Sequence, residues 1–243
     1  MAMEARISYY SITDKGERRV NEDSLAGDVQ GSDAFFVLCD GLGGHGDGDA
    51  ASGFVVQEMM EAWADHMPID QSILRAQNGL LRKQRIEKKE SSMKTTLTGL
   101  WISNGRACFA HVGDSRVYYF EKNKYKLRTL DHSVPQMLVN NGDIKEKDIR
   151  HHEDRSRLLR VMGVEWSTPK YQISEPVMLT DKSAFLLCSD GFWELIDEKM
   201  MCKTLKKSKT PREWLEKMRE IVLKNGLGTN MDNYSAIAVF MHE

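Results

Sequence analysis

The chain predicts an α+β fold in which sheets pack together and are covered by helices, and three observations lead there. Strand-like runs follow one another in hairpin-like succession, and helix-like segments come in separate blocks between them. Two runs, 34–39 and 184–189, are apolar almost throughout and each is followed by Asp-Gly, at Asp40-Gly41 and Asp190-Gly191, so each reads as a buried strand closed by a turn. The 243 residues, 41% hydrophobic, can enclose a sizeable core, and one domain spanning 1–243 is expected.

Taken in order, residues 6 to 40 read as short strands separated by turns. The glycine-rich segment Gly41-Leu42-Gly43-Gly44-His45-Gly46-Asp47-Gly48 hands over to a helix in which Val55, Met59, Ala62 and Trp63, with His66 beyond, recur at helical spacing. A second, charged helix is expected over about 70–90. From Thr95 to Thr129 the texture is β, with Asn104-Gly105 as a hairpin signal, and an antiparallel meander is expected. Residues 131–165 form a charged excursion, opened by a Ser133/Gln136 capping box and lacking a sustained apolar face. It reads as a mobile flap beside the site. Strands resume at about 171–178 and 184–189. Thr210-Pro211-Arg212-Glu213 opens another helix, with Trp214, Met218, Ile221 and Val222 on one face up to Gly226, and 233–241 is a terminal strand.

A formal charge of −2 leaves no electrostatic footprint for nucleic acid. Lys203, Lys206, Lys207 and Lys209 read as a solvated helix face. Cys39, Cys108, Cys188 and Cys202 have no CxxC spacing, which fits a reducing, cytoplasmic compartment. Residues 1–6 do not resemble a signal peptide, and no apolar run approaches the ~18 residues of a membrane span. A cytoplasmic monomer away from membranes is expected.

Acidic residues recur at strand ends and turns: Glu22, Asp23, Asp40, Asp114, Asp190, Glu194 and Asp232. Each alone is an ordinary turn residue; as a series they offer hard oxygen ligands, which suit Mg²⁺ or Mn²⁺ rather than zinc. Two ions bridged by one Asp are the arrangement used for in-line displacement at phosphorus, with a hydroxide between them as nucleophile. Arg18, just ahead of Glu22, could hold the phosphate's non-reacting oxygens.

The order of motifs resembles that of the metal-dependent PPM, or PP2C-like, protein phosphatases. The blocks are Gly16-Glu17-Arg18-Arg19-Val20-Asn21-Glu22-Asp23, Asp40-Gly41-Leu42-Gly43-Gly44-His45, Thr95-Thr96, Gly113-Asp114-Ser115-Arg116, Asp131-His132-Ser133, Ser189-Asp190-Gly191-Phe192-Trp193-Glu194 and Asp232-Asn233-Tyr234-Ser235. They span nearly the whole chain, and the Gly-Gly-His variant looks like the bacterial branch. The resemblance implies a four-layer α-β-β-α sandwich of two antiparallel sheets flanked by helices. It also implies hydrolysis of phosphoserine and phosphothreonine in proteins, with a cognate serine/threonine kinase as counterpart. Residue by residue, it implies Asp40 as the bridge between two ions and Gly41 as a carbonyl ligand. Glu22 and Asp23 would serve one ion, Asp190 and Asp232 the other, Asp114 and Glu194 a weaker third, and Arg18 the phosphate. Two departures stand out: Lys94 precedes the Thr pair where the family has Gly or Ser, and Leu42 follows Asp-Gly where some members have His. The leaving-group proton would therefore come from His45 or from water on the metal.

Rival classes fit less well. Gly41–Gly46 matches GxGxxG, but Asp40 before the first glycine would repel a pyrophosphate, and no Gly-Lys-Ser/Thr makes a P-loop. A cysteine phosphatase needs an Arg about six residues after its nucleophile; those positions hold His45, Asp114, Glu194 and Ser208. An inactive regulatory or phosphoprotein-binding relative would lack a ligand carboxylate, and none is lost.

Overall fold

Alternation along the apolar strands sets the layers. The computed structural model describes residues 6–42 and 46–242. In β3 (Asp33–Leu42), Phe35, Val37 and Cys39 face one way and Ala34, Phe36 and Leu38 the other, and all six are buried. In β11 (Ser183–Cys188) the same split sends Ala184, Leu186 and Cys188 to one face and Phe185 and Leu187 to the opposite one. A strand covered on both faces needs apolar residues at every position, which is why these runs do not alternate with polar ones.

Two antiparallel sheets result. The first has the order β1 (Arg6–Asp14), β12 (Tyr234–His242), β11, β7 (Arg116–Glu121), β8 (Lys124–Arg128). The second runs β10 (Val177–Met178), β6 (Arg106–Val112), β5 (Leu97–Ser103), β3, β2 (Asp23–Gln30), with β4 (Lys94–Thr95) on β3 and β9 (Gln172–Ile173) on β6. Phe36, Leu38, Phe185, Leu187, Ile237 and Val239 fill the seam between them. Helices α1 (Gly48–Ala64) and α2 (Ile69–Glu87) cover the outer face of the second sheet through Val55, Met59, Ile73 and Leu80. The first sheet is covered by α5 (Glu198–Leu205) and α6 (Pro211–Gly226), through Met201, Trp214 and Met218. This is the expected four-layer sandwich.

The sequence expectation differs from the structure in four places. The 95–129 stretch is not one meander: β5 and β6 pair in one sheet, joined by Asn104 (φ 52°) and Gly105 (φ 69°), while β7 and β8 pair in the other. The chain changes sheets at Gly113-Asp114-Ser115, where Gly113 has φ 105°, a conformation a side chain would strain. The Ser133 box is half formed: its hydroxyl caps the Gln136 amide of α3 (Val134–Asn141), but the Gln136 side chain turns to Arg128 and Asn140. The excursion does have an apolar anchor, since Ile149 of a 3-10 turn (Glu146–His151) is buried against the first sheet's core. His66 falls beyond α1 and is exposed, with φ 53°.

Candidate metal centre

Antiparallel pairing gathers the scattered carboxylates at one end of the sandwich. Asp23 starts β2 directly opposite Asp40 near the end of β3. The end of β11 pairs with the starts of both β12 and β7, at Cys188 against Ala236 and Arg116. Asp190, Asp232 and Asp114 each lie two residues outside a strand at that same end. Asp190 opens the short helix α4 (Asp190–Trp193), and Glu194 follows it.

Like charges directly opposite across a ladder are destabilising, and Asp23 and Asp40 are such a pair. Burial pushes the Asp23 carboxyl up to about 7, and Asp190 and Asp232 add to the rise. Burial and then Asp23, Asp190, Asp114 and Asp232 hold Asp40 well above the carboxylate range. Asp114 is raised by burial and by Asp190. Asp190 rises to about 6 through burial and Asp232, and Glu194 to about 7 through burial and Asp190. Among the described buried side chains, Asp23 Oδ1 is the polar atom without a hydrogen-bond partner, while its Oδ2 accepts from the Ser189 hydroxyl at 2.8 Å.

The backbone around these groups is tightly held. Thr96 Oγ1 accepts from the Asp40 amide at 2.9 Å, and the Asp40 carbonyl accepts from the Thr96 amide and the Thr95 hydroxyl, both at 2.8 Å. The Gly41 amide donates to the Glu22 carbonyl, and a Cβ on Gly41 would collide with the Gly48 and Glu22 carbonyls, so this approach of three segments requires glycine. Asn233 ties the loop 15–22 in place: its amide nitrogen donates to the Lys15 and Val20 carbonyls at 2.9 Å, and its Oδ1 accepts from the Glu22 amide at 2.8 Å.

Two arginines stand at the rim. Arg18 makes a two-point contact with Asp232, Nε to Oδ1 and Nη2 to Oδ2, each 3.0 Å. Arg155, from the excursion, pairs through Nε with Glu194 Oε2 at 3.1 Å. With Asp232 turned onto Arg18 and Glu194 onto Arg155, no three described His, Cys, Asp or Glu side chains converge closely enough to enclose an ion as they stand. The set still fits a hard divalent cation. Its donors are all oxygens, Asp23 Oδ1 lacks any partner, and the charged groups that act most strongly on Asp40 are acidic.

The groups open into a cleft of about 620 Å³ lined by Arg18, Glu22, Asp40, Gly41, Asp190 and Asp232. A neighbouring cleft of about 460 Å³ shares Arg18, Asp190 and Asp232 and adds Arg155 and Glu194; Ser156 of the excursion borders both. Nine of the ten site residues named from sequence are thus brought to one end of the fold, and the tenth, His45, lies outside the described residues.

Sequence reasoning missed the groups that hold this arrangement: Thr95, Thr96, Ser189, Asn233 and the buried pair of Arg116 and Asp131. Arg116 reaches Asp131 through Nε at 2.8 Å and Nη2 at 2.6 Å, both fully buried. Burial, His111 and Arg160 push the His132 imidazole down to about 3, so the ring stays neutral and its Nδ1 accepts from the Gly113 amide at 3.2 Å. These residues sit inside the motif blocks, so their place beside the acidic residues was the available signal.

Known proteins share both the sequence pattern and the architecture. The family model described as Protein phosphatase 2C matches residues 15–233. A serine/threonine phosphatase, stp, of Listeria welshimeri is 30% identical over 239 residues, 93% of each chain. The crystal structure of the serine/threonine phosphatase Stp1 from Staphylococcus aureus superposes with a TM-score of 0.83 at 25% identity, over 98% of this chain and 96% of that one. A crystal structure of the PstP catalytic domain in complex with two manganese ions has the same fold, with a TM-score of 0.83 at 23% identity over 98% and 100% of the two chains.

Proposed function

This chain belongs to the protein phosphatase 2C family, and on that premise we propose that it is a single-domain, metal-dependent phosphatase acting on phosphoserine and phosphothreonine in proteins. The observation that carries the reading is the register that sets Asp23 against Asp40 and brings Asp190, Asp114 and Asp232 to the same end, with Arg18 at the mouth. Asp40 would be shared by two ions, with the Gly41 carbonyl, Glu22 and Asp23 serving one and Asp190 and Asp232 the other. Asp114 and Glu194 would hold a weaker third. Bound Mn²⁺ or Mg²⁺ supplies a nucleophile at neutral pH by acidifying water, and positive charge to set against the phosphoryl oxygens.

The chain's own residues do the rest. Arg18, half-exposed and held by a carboxylate in a two-point contact, exchanges Asp232 for the substrate's phosphoryl oxygens, which match the same guanidinium fork. Thr95 and Thr96 fix the Asp40 backbone from both sides, and so hold in place the strand end from which its carboxylate would meet the ions. Ser189 orients Asp23 by donating to one oxygen and leaving the other free. His45 is the candidate donor to the leaving serine or threonine oxygen. The excursion, bordering both clefts through Ser156, selects phosphoprotein substrates. No helix among the described residues is long and apolar enough to cross a membrane; a cytoplasmic monomer that opposes a serine/threonine kinase completes the reading.

Hydrolysis of p-nitrophenyl phosphate and a phosphothreonine peptide, with Mn²⁺ and with chelator, tests it. Turnover should require metal, and Asp40→Asn should remove it. Metal-independent turnover, or full activity in the variant, would overturn the reading.

A further inference from the structure

Trp193 lies between Asp190 and Glu194 in sequence and reaches across to a third acidic residue. Its indole N–H donates to the Asp114 backbone carbonyl at 3.0 Å, and its ring carries the Arg116 guanidinium, whose carbon is 3.3 Å from the ring centroid. The Trp193 carbonyl accepts from Arg150 Nε at 3.1 Å, and Arg150 Nη2 also reaches the Ile196 carbonyl at 3.2 Å. The indole thus joins the turn that changes sheets at Asp114 to the turn that carries Asp190 and Glu194. Arg116, itself held by Asp131, lies over the ring. Trp214 offers a matched comparison: it is fully buried and donates its indole N–H to the Met201 carbonyl at 3.1 Å, but it packs between α5, α6 and the first sheet.

We propose that Trp193 is a positioning residue for the metal centre. By holding the Asp114 carbonyl against the turn of Asp190 and Glu194, it sets the spacing of these three carboxylates and with it the affinity of the weakest-held ion. The inference rests on the assignment of Asp114 and Glu194 to that ion. Trp193→Phe keeps an aromatic face for Arg116 but removes the N–H donor together with part of the ring's bulk, leaving the buried Asp114 carbonyl without that partner; Trp214→Phe loses the same bulk and so controls for the void.

The test is direct titration of the metal-free protein with Mn²⁺ alone, by calorimetry or by the electron-spin signal of free Mn²⁺, beside thermal unfolding. Trp193→Phe should bind the weakest ion about tenfold less tightly, the lower end of what loss of an outer partner of a ligand costs, and Trp214→Phe should stay within about twofold of wild type. Both variants should melt earlier, so melting alone does not decide. Equal effects of the two on Mn²⁺ affinity, or none from Trp193→Phe, would overturn the proposal. Asp114→Asn should abolish the weakest binding event. If it does not, the ligand assignment fails and the inference falls with it; if it does while Trp193→Phe binds normally, the inference alone is wrong. Should Trp193→Phe not fold, Arg150→Gln, which frees the Trp193 and Ile196 carbonyls, should weaken Mn²⁺ binding in the same direction, and unchanged affinity would overturn the proposal.

Discussion

Replacing Asp23 with asparagine should make the metal-free protein more stable while removing its metal-dependent activity. The Asp23 carboxyl is buried, faces Asp40 across the ladder and is raised from 3.8 to about 7, with burial as the first cause. At about 1.4 kcal/mol per pH unit, ionising it at pH 7.5 costs roughly 4 kcal/mol of folding free energy. Asparagine removes that cost but places an amide donor where Oδ1 has no partner, an offset of about 1–3 kcal/mol. The net gain is about 2 kcal/mol, or roughly 4–8 °C for a chain of this size. Between about pH 4 and pH 7 the folded wild type keeps a proton that the unfolded chain has released, so its stability falls as pH rises through that window. The Asp23→Asn variant has no such proton, and the gap between variant and wild type should therefore widen from pH 5 to pH 7.5. Thermal unfolding in chelator at both pH values checks this. A variant that melts at or below wild type at pH 7.5, or a gap of equal size at the two pH values, would refute the reasoning.

Asp131→Ala should destabilise the fold by about 3–5 kcal/mol, because it strands the Arg116 guanidinium in the core; urea unfolding would measure it, and a loss below about 1 kcal/mol would show that Arg116 finds another partner. Arg155→Ala breaks the pair between half-exposed Arg155 and partly buried Glu194 in the smaller cleft. Its effect on kcat/KM should be about two- to fivefold for a phosphoprotein, the equivalent of a surface ion pair, and smaller for p-nitrophenyl phosphate. Equal effects on both substrates would make the excursion a structural segment only.

What the sequence disclosed follows from which interactions are local. The apolar runs at 34–39 and 184–188 mark strands covered on both faces, and both are. Asn104-Gly105 dictates its own turn through the backbone, so that hairpin was legible residue by residue. The change of sheets at Gly113 was not, because a glycine at positive φ says that the chain turns without saying which sheet it joins next. The Gln136 side chain was misassigned for a similar reason: Arg128 and Asn140 compete for it.

The metal centre repeats this division. Acidic residues beside turns announce themselves by type, and antiparallel pairing then brings them together without further information, since starts of some strands must lie beside ends of others. The groups that fix them are silent in sequence because their partners are distant: Ser189 meets Asp23 across 166 positions, Asn233 meets Glu22 across 211, and Trp193 meets Asp114 across 79. The two rim arginines carry the same lesson into function. Arg18 holds Asp232 through both oxygens and Arg155 holds Glu194 through one, so an ion taken up at Asp232 would compete directly with Arg18, whereas Glu194 could keep Arg155 and still offer its second oxygen.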